Sequence, residues 1–189
     1  MIVGIGHNNG PSIERGQKWR AFQWQKAREA AMPRTIPLMV VKMRVARARE
    51  LGLDYKAYAA IRQATGRDIL ALLFSSNALR VMRADAPQIP VHEADILRTV
   101  ENAQKLALVH LPLSAAAVHS ANPVLDHVDV APQFAASWSQ MRGHLGNIVH
   151  RQKLIGDQVL IVGDTGLERE WVAAAQAAGY LEAARYFGV

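Results

Sequence analysis

The chain has no cysteine among its 189 residues, so disulfides, thiolate metal sites and a cysteine nucleophile are all excluded. It lacks any apolar run approaching the roughly 20 residues that a membrane-spanning helix requires. Residues 1–11 have neither the basic region nor the apolar stretch of a secretion signal. These absences point to a cytoplasmic protein with no membrane partner. No internal repeat or low-complexity tract is visible. None of the 7 histidines stands in a His-x3-His or His-Glu-x2-His arrangement, which would bring two imidazoles to one helical face.

What is present suits a folded chain. A hydrophobic fraction of 50% with 20% charged residues is enough to bury one sizeable core or two small ones. The formal net charge of +6 is unevenly spread. Residues 1–85 hold 15 Lys and Arg against 6 Asp and Glu, a balance of +9, whereas residues 86–189 hold 7 against 10, a balance of −3. A basic half of this kind suits a polyanionic partner such as nucleic acid, although a solvated basic surface gives the same count.

Three regions follow from the pattern: a leader over 1–14, a basic helical region over 15–85 and an α/β region over 86–189. The leader holds Gly4-Ile5-Gly6-His7-Asn8-Asn9-Gly10-Pro11, which resists regular structure and predicts a mobile segment. It resembles the Gly-Ile-Gly-His-Asn-x-Gly-Pro leader of various alphaproteobacterial proteins, phage- and plasmid-borne ones among them. A helix over 12–32, opened by Ser12 and stopped by Pro33, interleaves Lys18, Arg20, Lys26 and Arg28 with Trp19, Phe22 and Trp24. That mixture suits stacking on unpaired bases, and equally the docking of Trp19 and Phe22 on the next helix.

The spacing of Leu38, Val41, Val45 and Ala48 predicts a helix over 37–51, and a short helix over 55–64 follows a tight Gly52-Leu53-Asp54 connection. The apolar run 69–74 fits a buried strand or a buried helix equally well. Residues 84–90, with two prolines, form the best candidate linker. Beyond it the expected order is helix 92–104, strand 106–111, helix 134–150, strand 158–162 and helix 167–178, stopped by Gly179. Alternation of this kind predicts an α/β fold, a small Rossmann-like three-layer region built on a parallel sheet.

Within residues 44–66 the order of residue types resembles the helix-turn-helix motif of DNA-binding proteins. Ala48 is the small residue where two helices touch, and Gly52, four residues on, tolerates the positive φ of the turn. Leu51, Leu53, Tyr58 and Ile61 supply the inward apolar positions, and Asp54 can cap the second helix. The resemblance implies that Tyr55, Lys56, Ala59 and Gln63 lie nearest the bases, Gln63 reading adenine and Lys56 reading guanine or holding a phosphate. Arg44, Arg47, Arg49, Arg62 and Arg67 are then the candidates for backbone contacts.

A second resemblance lies near the C-terminus. The run Val159-Leu160-Ile161-Val162-Gly163-Asp164-Thr165-Gly166-Leu167-Glu168 is similar to the metal-binding end of haloacid-dehalogenase-type phosphatases. It implies a Rossmann-like strand order and a Mg²⁺ ion held by Asp164 and Glu168. The family's Asp-x-Asp nucleophile pair has no counterpart, because the run 69–74 continues into Ser75-Ser76-Asn77. On the other reading of the same residues, Asp164 or Thr165 caps a helix and Glu168 and Glu170 favour its positive end. Asp126-His127-Val128-Asp129, taken as a loop, groups three polar ligand types, and Ser75 or Ser76 would need a His and an acid brought close to act as a nucleophile.

Together these features predict a double-stranded DNA-binding regulator or accessory protein of a mobile genetic element, with no cofactor and no catalytic residue. A homodimer would let two helices read two half-sites, with the α/β region supplying the dimer or partner contact. The alternatives are a Mg²⁺-dependent phosphate-handling enzyme using Asp164 and Glu168, and a phage or plasmid adaptor protein.

Overall fold

Five segments form the strands β1 (Ala71–Ser75), β2 (Gln104–Val109), β3 (His127–Val130), β4 (Val159–Gly163) and β5 (Gly179–Glu182) in the computed structural model, which describes residues 36–188. The leader and the helix expected over 12–32 lie outside the described residues. All five strands pair in parallel, in the order β3-β2-β1-β4-β5. Parallel neighbours need long crossovers. These are supplied by α3 (Val91–Thr99), α4 (Ala115–Ala121), α5 (Trp138–Arg151) and α6 (Gly166–Ala175), while α1 (Leu38–Glu50) and α2 (Tyr55–Thr65) precede β1 and α7 (Ala183–Phe187) ends the fold.

The described residues from 42 onward form one compact unit. In it, every residue of β1 and β4 is buried. Buried on both faces, these strands have no reason to alternate with polar residues, which is why the run 69–74 showed no period. Side chains still alternate between faces. Leu72, Phe74 and Val162 join Ala48, Leu51, Tyr58, Leu97, Val118 and Phe187 in one core, whereas Leu73 and Ile161 join Leu145, Ile148 and Trp171 in the other. Among the described residues the sheet is thus the middle of three layers, with α5 and α6 on one side. No helix among the described residues is long and apolar enough to cross a membrane.

Local chemistry moves several boundaries. The helix expected over 134–150 begins at Trp138, where Ser137 and Gln140 form a reciprocal capping box. The helix expected over 167–178 stops at Ala175, because Gln176 turns left-handed at φ 53° and the N–H of Ala177 bonds back to the carbonyl of Val172 at 2.8 Å. That stop frees the N–H of Ala178 to bond the carbonyl of Val159 at 2.9 Å and leads the chain into β5. β5, β3, α4 and α7 were not expected from the pattern. Asp126 to Asp129, taken as a loop, instead run into an edge strand, where Asp126 accepts from the N–H of Lys105 and Asp129 pairs with Arg151.

The 84–90 stretch is pinned rather than free. Asn122, buried, accepts from the N–H of Ile89 at 2.8 Å and donates to the carbonyls of Pro87 and Val118 at 2.8 and 2.7 Å. Residues on both sides of the stretch belong to the same unit.

One close approach depends on glycine. A Cβ at Gly156 would lie 2.2 Å from the carbonyl oxygen of Gln176 and 2.3 Å from that of Ala175, so backbone would have to move. Gly146, on the exposed side of α5, has nothing within 4 Å of its Cβ position. Gly156→Ala is therefore expected to cost about 3 kcal/mol or more in urea denaturation, whereas Gly146→Ala should stabilise by roughly 0.5–1 kcal/mol. Equal midpoints for the two variants would contradict the packing described.

Candidate functional site

Strand order reverses between β1 and β4, the place in an open α/β sheet where a crevice forms beyond the carboxyl ends of the strands. Three strand ends meet there: Ser75-Ser76-Asn77 after β1, His110 after β2, and Asp164-Thr165 after β4. Glu168, in the first turn of α6 and wholly buried, binds all three. One carboxylate oxygen accepts from Asn77 Nδ2 at 2.8 Å and from His110 Nε2 at 2.9 Å. The other accepts from the backbone N–H groups of Asp164 at 2.7 Å and Thr165 at 3.0 Å.

Burial pushes the Glu168 pKa up. The His110 ring, the N–H groups of Asp164 and Thr165 and the Ser75 hydroxyl more than offset this and hold it down at about 2. Thr165 completes a capping box by accepting from the N–H of Glu168 at 3.3 Å. Gly163 must be glycine for the same geometry: its Cβ would stand 2.8 Å from the Tyr180 ring and 3.0 Å from Glu168 Oε2.

This arrangement does not fit Mg²⁺. A cation needs carboxylate oxygens with free lone pairs, yet those of Glu168 face N–H donors, and Asp164 Oδ2 is bonded to Arg80 Nη1 at 2.9 Å. Among the described residues no group of three or more His, Cys, Asp or Glu is placed to hold a metal ion. Ser75 and Ser76 are both buried. Ser75 Oγ accepts from the N–H of Ala78 and Ser76 Oγ from that of His110, so neither hydroxyl is presented as a nucleophile.

The crevice continues into a cavity of about 320 Å³, walled by Phe134, Met141, Leu167 and Trp171 and edged by Asn77, His110 and Glu170. The His110 ring lies 5.6 Å from that of Trp171, tilted by 36°. The resemblance to the metal-binding end of a phosphatase pointed to Asp164 and Glu168, and His110, Asn77 and Phe134 were not singled out. The strand expected over 106–111 ends at Val109, which places His110 just beyond it.

The basic hairpin lies at the other end of the strands. Gly52, at φ 68°, closes α1, with the N–H of Leu53 bonded to the carbonyl of Ala48 at 2.8 Å, and Asp54 caps α2 by accepting from the N–H of Ala57 at 2.7 Å. Ala48, Leu51, Leu53 and Tyr58 are buried. Tyr58 donates to Asp68 at 2.8 Å, and Ile61 lies 3.7 Å from the Cβ position of Gly179, so α2 docks on the sheet.

Of the expected contact residues, Lys56, Gln63, Arg49 and Arg67 are exposed, while Tyr55, Ala59, Arg44 and Arg62 are half-buried. Arg62 stands 3.8 Å from Asp68 and Arg67 3.9 Å from Asp157. Arg47 is placed differently from its neighbours. Its guanidinium turns inward to Asp68 at 3.0 Å, Glu50 at 2.7 Å and the carbonyls of Ile69 and Asn102 at 2.8 and 3.0 Å. No family model, curated protein or solved structure matches the chain. The class defined by the structure is an α/β protein with a five-stranded parallel sheet.

Because the Glu168 pKa in the folded state lies below its ordinary 4.5, the stability it supplies is complete above that value and is lost as pH falls toward about 2. Glu168→Gln is expected to lower stability at neutral pH by about 3 kcal/mol and to flatten the acid-side decline. Urea titrations across that range test both, and an unchanged acid profile in the variant would refute the assignment.

Proposed function

We propose that the chain binds nucleic acid, double-stranded DNA foremost, through the outward face of the α1–α2 hairpin, as a regulator or accessory protein. One observation carries this reading: Lys42, Arg44, Arg49 and Lys56 form no ion pair among the described residues, whereas the neighbouring Arg47, Arg62 and Arg67 all do. Lys42 and Arg49, seven residues apart, share a face of α1, and Lys56 opens α2. Cations placed on a rigid body without internal partners are what phosphate contacts require.

The outer positions Lys56, Ala60 and Gln63 are uncovered by any acidic segment of the same unit, so the helix is open to a groove. Alanine at 57, 59, 60 and 64 leaves Lys56 and Gln63 as the side chains with hydrogen-bonding capacity toward base edges. Affinity on this reading comes mainly from the phosphate contacts, and sequence preference is modest. The phosphate-handling alternative draws no support from the crevice, where Asp164 and Glu168 already have partners.

Fluorescence anisotropy with a labelled duplex over a series of salt concentrations tests the reading. Affinity is expected to fall steeply with salt, and each of Lys42→Ala, Arg49→Ala and Lys56→Ala should reduce the slope of log affinity against log salt by about 1. Gln63→Ala should narrow the gap between preferred and scrambled duplexes with little change in slope. Salt-independent binding, or a triple variant that binds as the parent does, rules the hairpin out.

A further inference from the structure

Glu168 fixes the chemistry of the cavity beside it. An ionised carboxylate only accepts hydrogen bonds, so every polar group that faces it must turn a donor toward it. Asn77 therefore directs Nδ2 at Glu168 and keeps Oδ1, an acceptor, for its other side. His110 turns Nε2 toward Glu168, so Nδ1 is the ring nitrogen that faces away from it. Neither Asn77 Oδ1 nor His110 Nδ1 is hydrogen-bonded among the described residues, and both residues line the cavity. The exposed carboxylate of Glu170 on α6 is an acceptor and forms no ion pair among the described residues, while Gln133 and Thr165 add an amide and a hydroxyl that can donate or accept.

The lining contains no Lys or Arg. Arg80, the nearest cation on the β1 loop, is held by Asp164. A phosphate or carboxylate entering here would meet the negative charge of Glu170 with no Lys or Arg in the lining to offset it. A ligand that brings donors and a positive charge would meet complementary groups. The walls favour a flat apolar body: Phe134 stands at the mouth 87% exposed, with Leu167 half-exposed beside it and Trp171 behind. An exposed aromatic ring over a cationic group adds a favourable electrostatic contact.

We propose that this cavity binds an organic cation, an amidinium, guanidinium or ammonium group on a flat apolar body, with Glu170 and Asn77 Oδ1 receiving its N–H groups and Phe134 closing over it. The inference is independent of the DNA-binding reading and concerns the opposite end of the strands.

Isothermal titration calorimetry on the full chain with benzamidine and benzoate, one ring with opposite charges, provides the test. Saturable binding of benzamidine without binding of benzoate is expected. Glu170→Gln and Phe134→Ala, both at exposed positions that leave the fold intact, should each weaken benzamidine binding about fivefold. Benzoate binding as tightly as benzamidine, or benzamidine binding unchanged in both variants, overturns the proposal. N-acetylarginine amide distinguishes the source of the cation. Tighter binding than benzamidine assigns the cavity to an arginine side chain of a peptide, weaker binding assigns it to a free aromatic amidine or amine, and failure of both to bind overturns the proposal as well.

Discussion

An ionised carboxylate sealed from water is the constraint around which the upper end of this molecule is built. Glu168 has no solvent to stabilise its charge, so the chain must supply donors, and it draws them from the ends of β1, β2 and β4 and from the turn that opens α6. A buried charge is tolerated only when it is fully hydrogen-bonded. The consequence is geometric: three strand ends that would otherwise finish independently are held around one atom pair. Gly163 is the space that makes the approach feasible, and the Tyr180 hydroxyl, donating to the carbonyl of Thr165 at 3.1 Å, closes the far side.

The same carboxylate explains why a sequence resembling the metal-binding end of a phosphatase need not hold a metal. The spacing of Asp164 and Glu168 places both near a strand's C-terminal end, where oxygen ligands for a hard cation commonly lie. Spacing, however, does not reveal which neighbours arrive from elsewhere in the chain. Asn77 and His110 come from 91 and 58 residues away, and Arg80 from 84. These three convert two prospective ligands into the acceptors of internal hydrogen bonds.

Much of the fold was legible where burial is one-sided or complete. The alternation of helix and strand, the α/β class and the Thr165–Glu168 cap were readable because each depends on neighbours within about four residues. β3 and β5 were not, since four-residue edge strands such as His127–Val130 and Gly179–Glu182 contain as many polar or small residues as apolar ones. The character of the run 69–74 was unreadable for the opposite reason, being apolar on both faces. Arg47 shows the limit for charged residues. Composition counts it with the exposed cations, whereas its side chain is 15% exposed and bonded to two acids and three carbonyls. Only the three-dimensional positions of Asp68 and of the turn at Asn102 could separate it from Arg49, two residues away.

Those bonds of Arg47 also determine how the helical hairpin is mounted. Because the guanidinium grips the carbonyl of Ile69 just before β1 and that of Asn102 just before β2, the hairpin is riveted to the foot of the sheet, while the cavity opens at its head. Within residues 42–188 the hairpin and the cavity therefore occupy opposite ends of the strands, so a substitution in either is separated from the other by the length of the sheet.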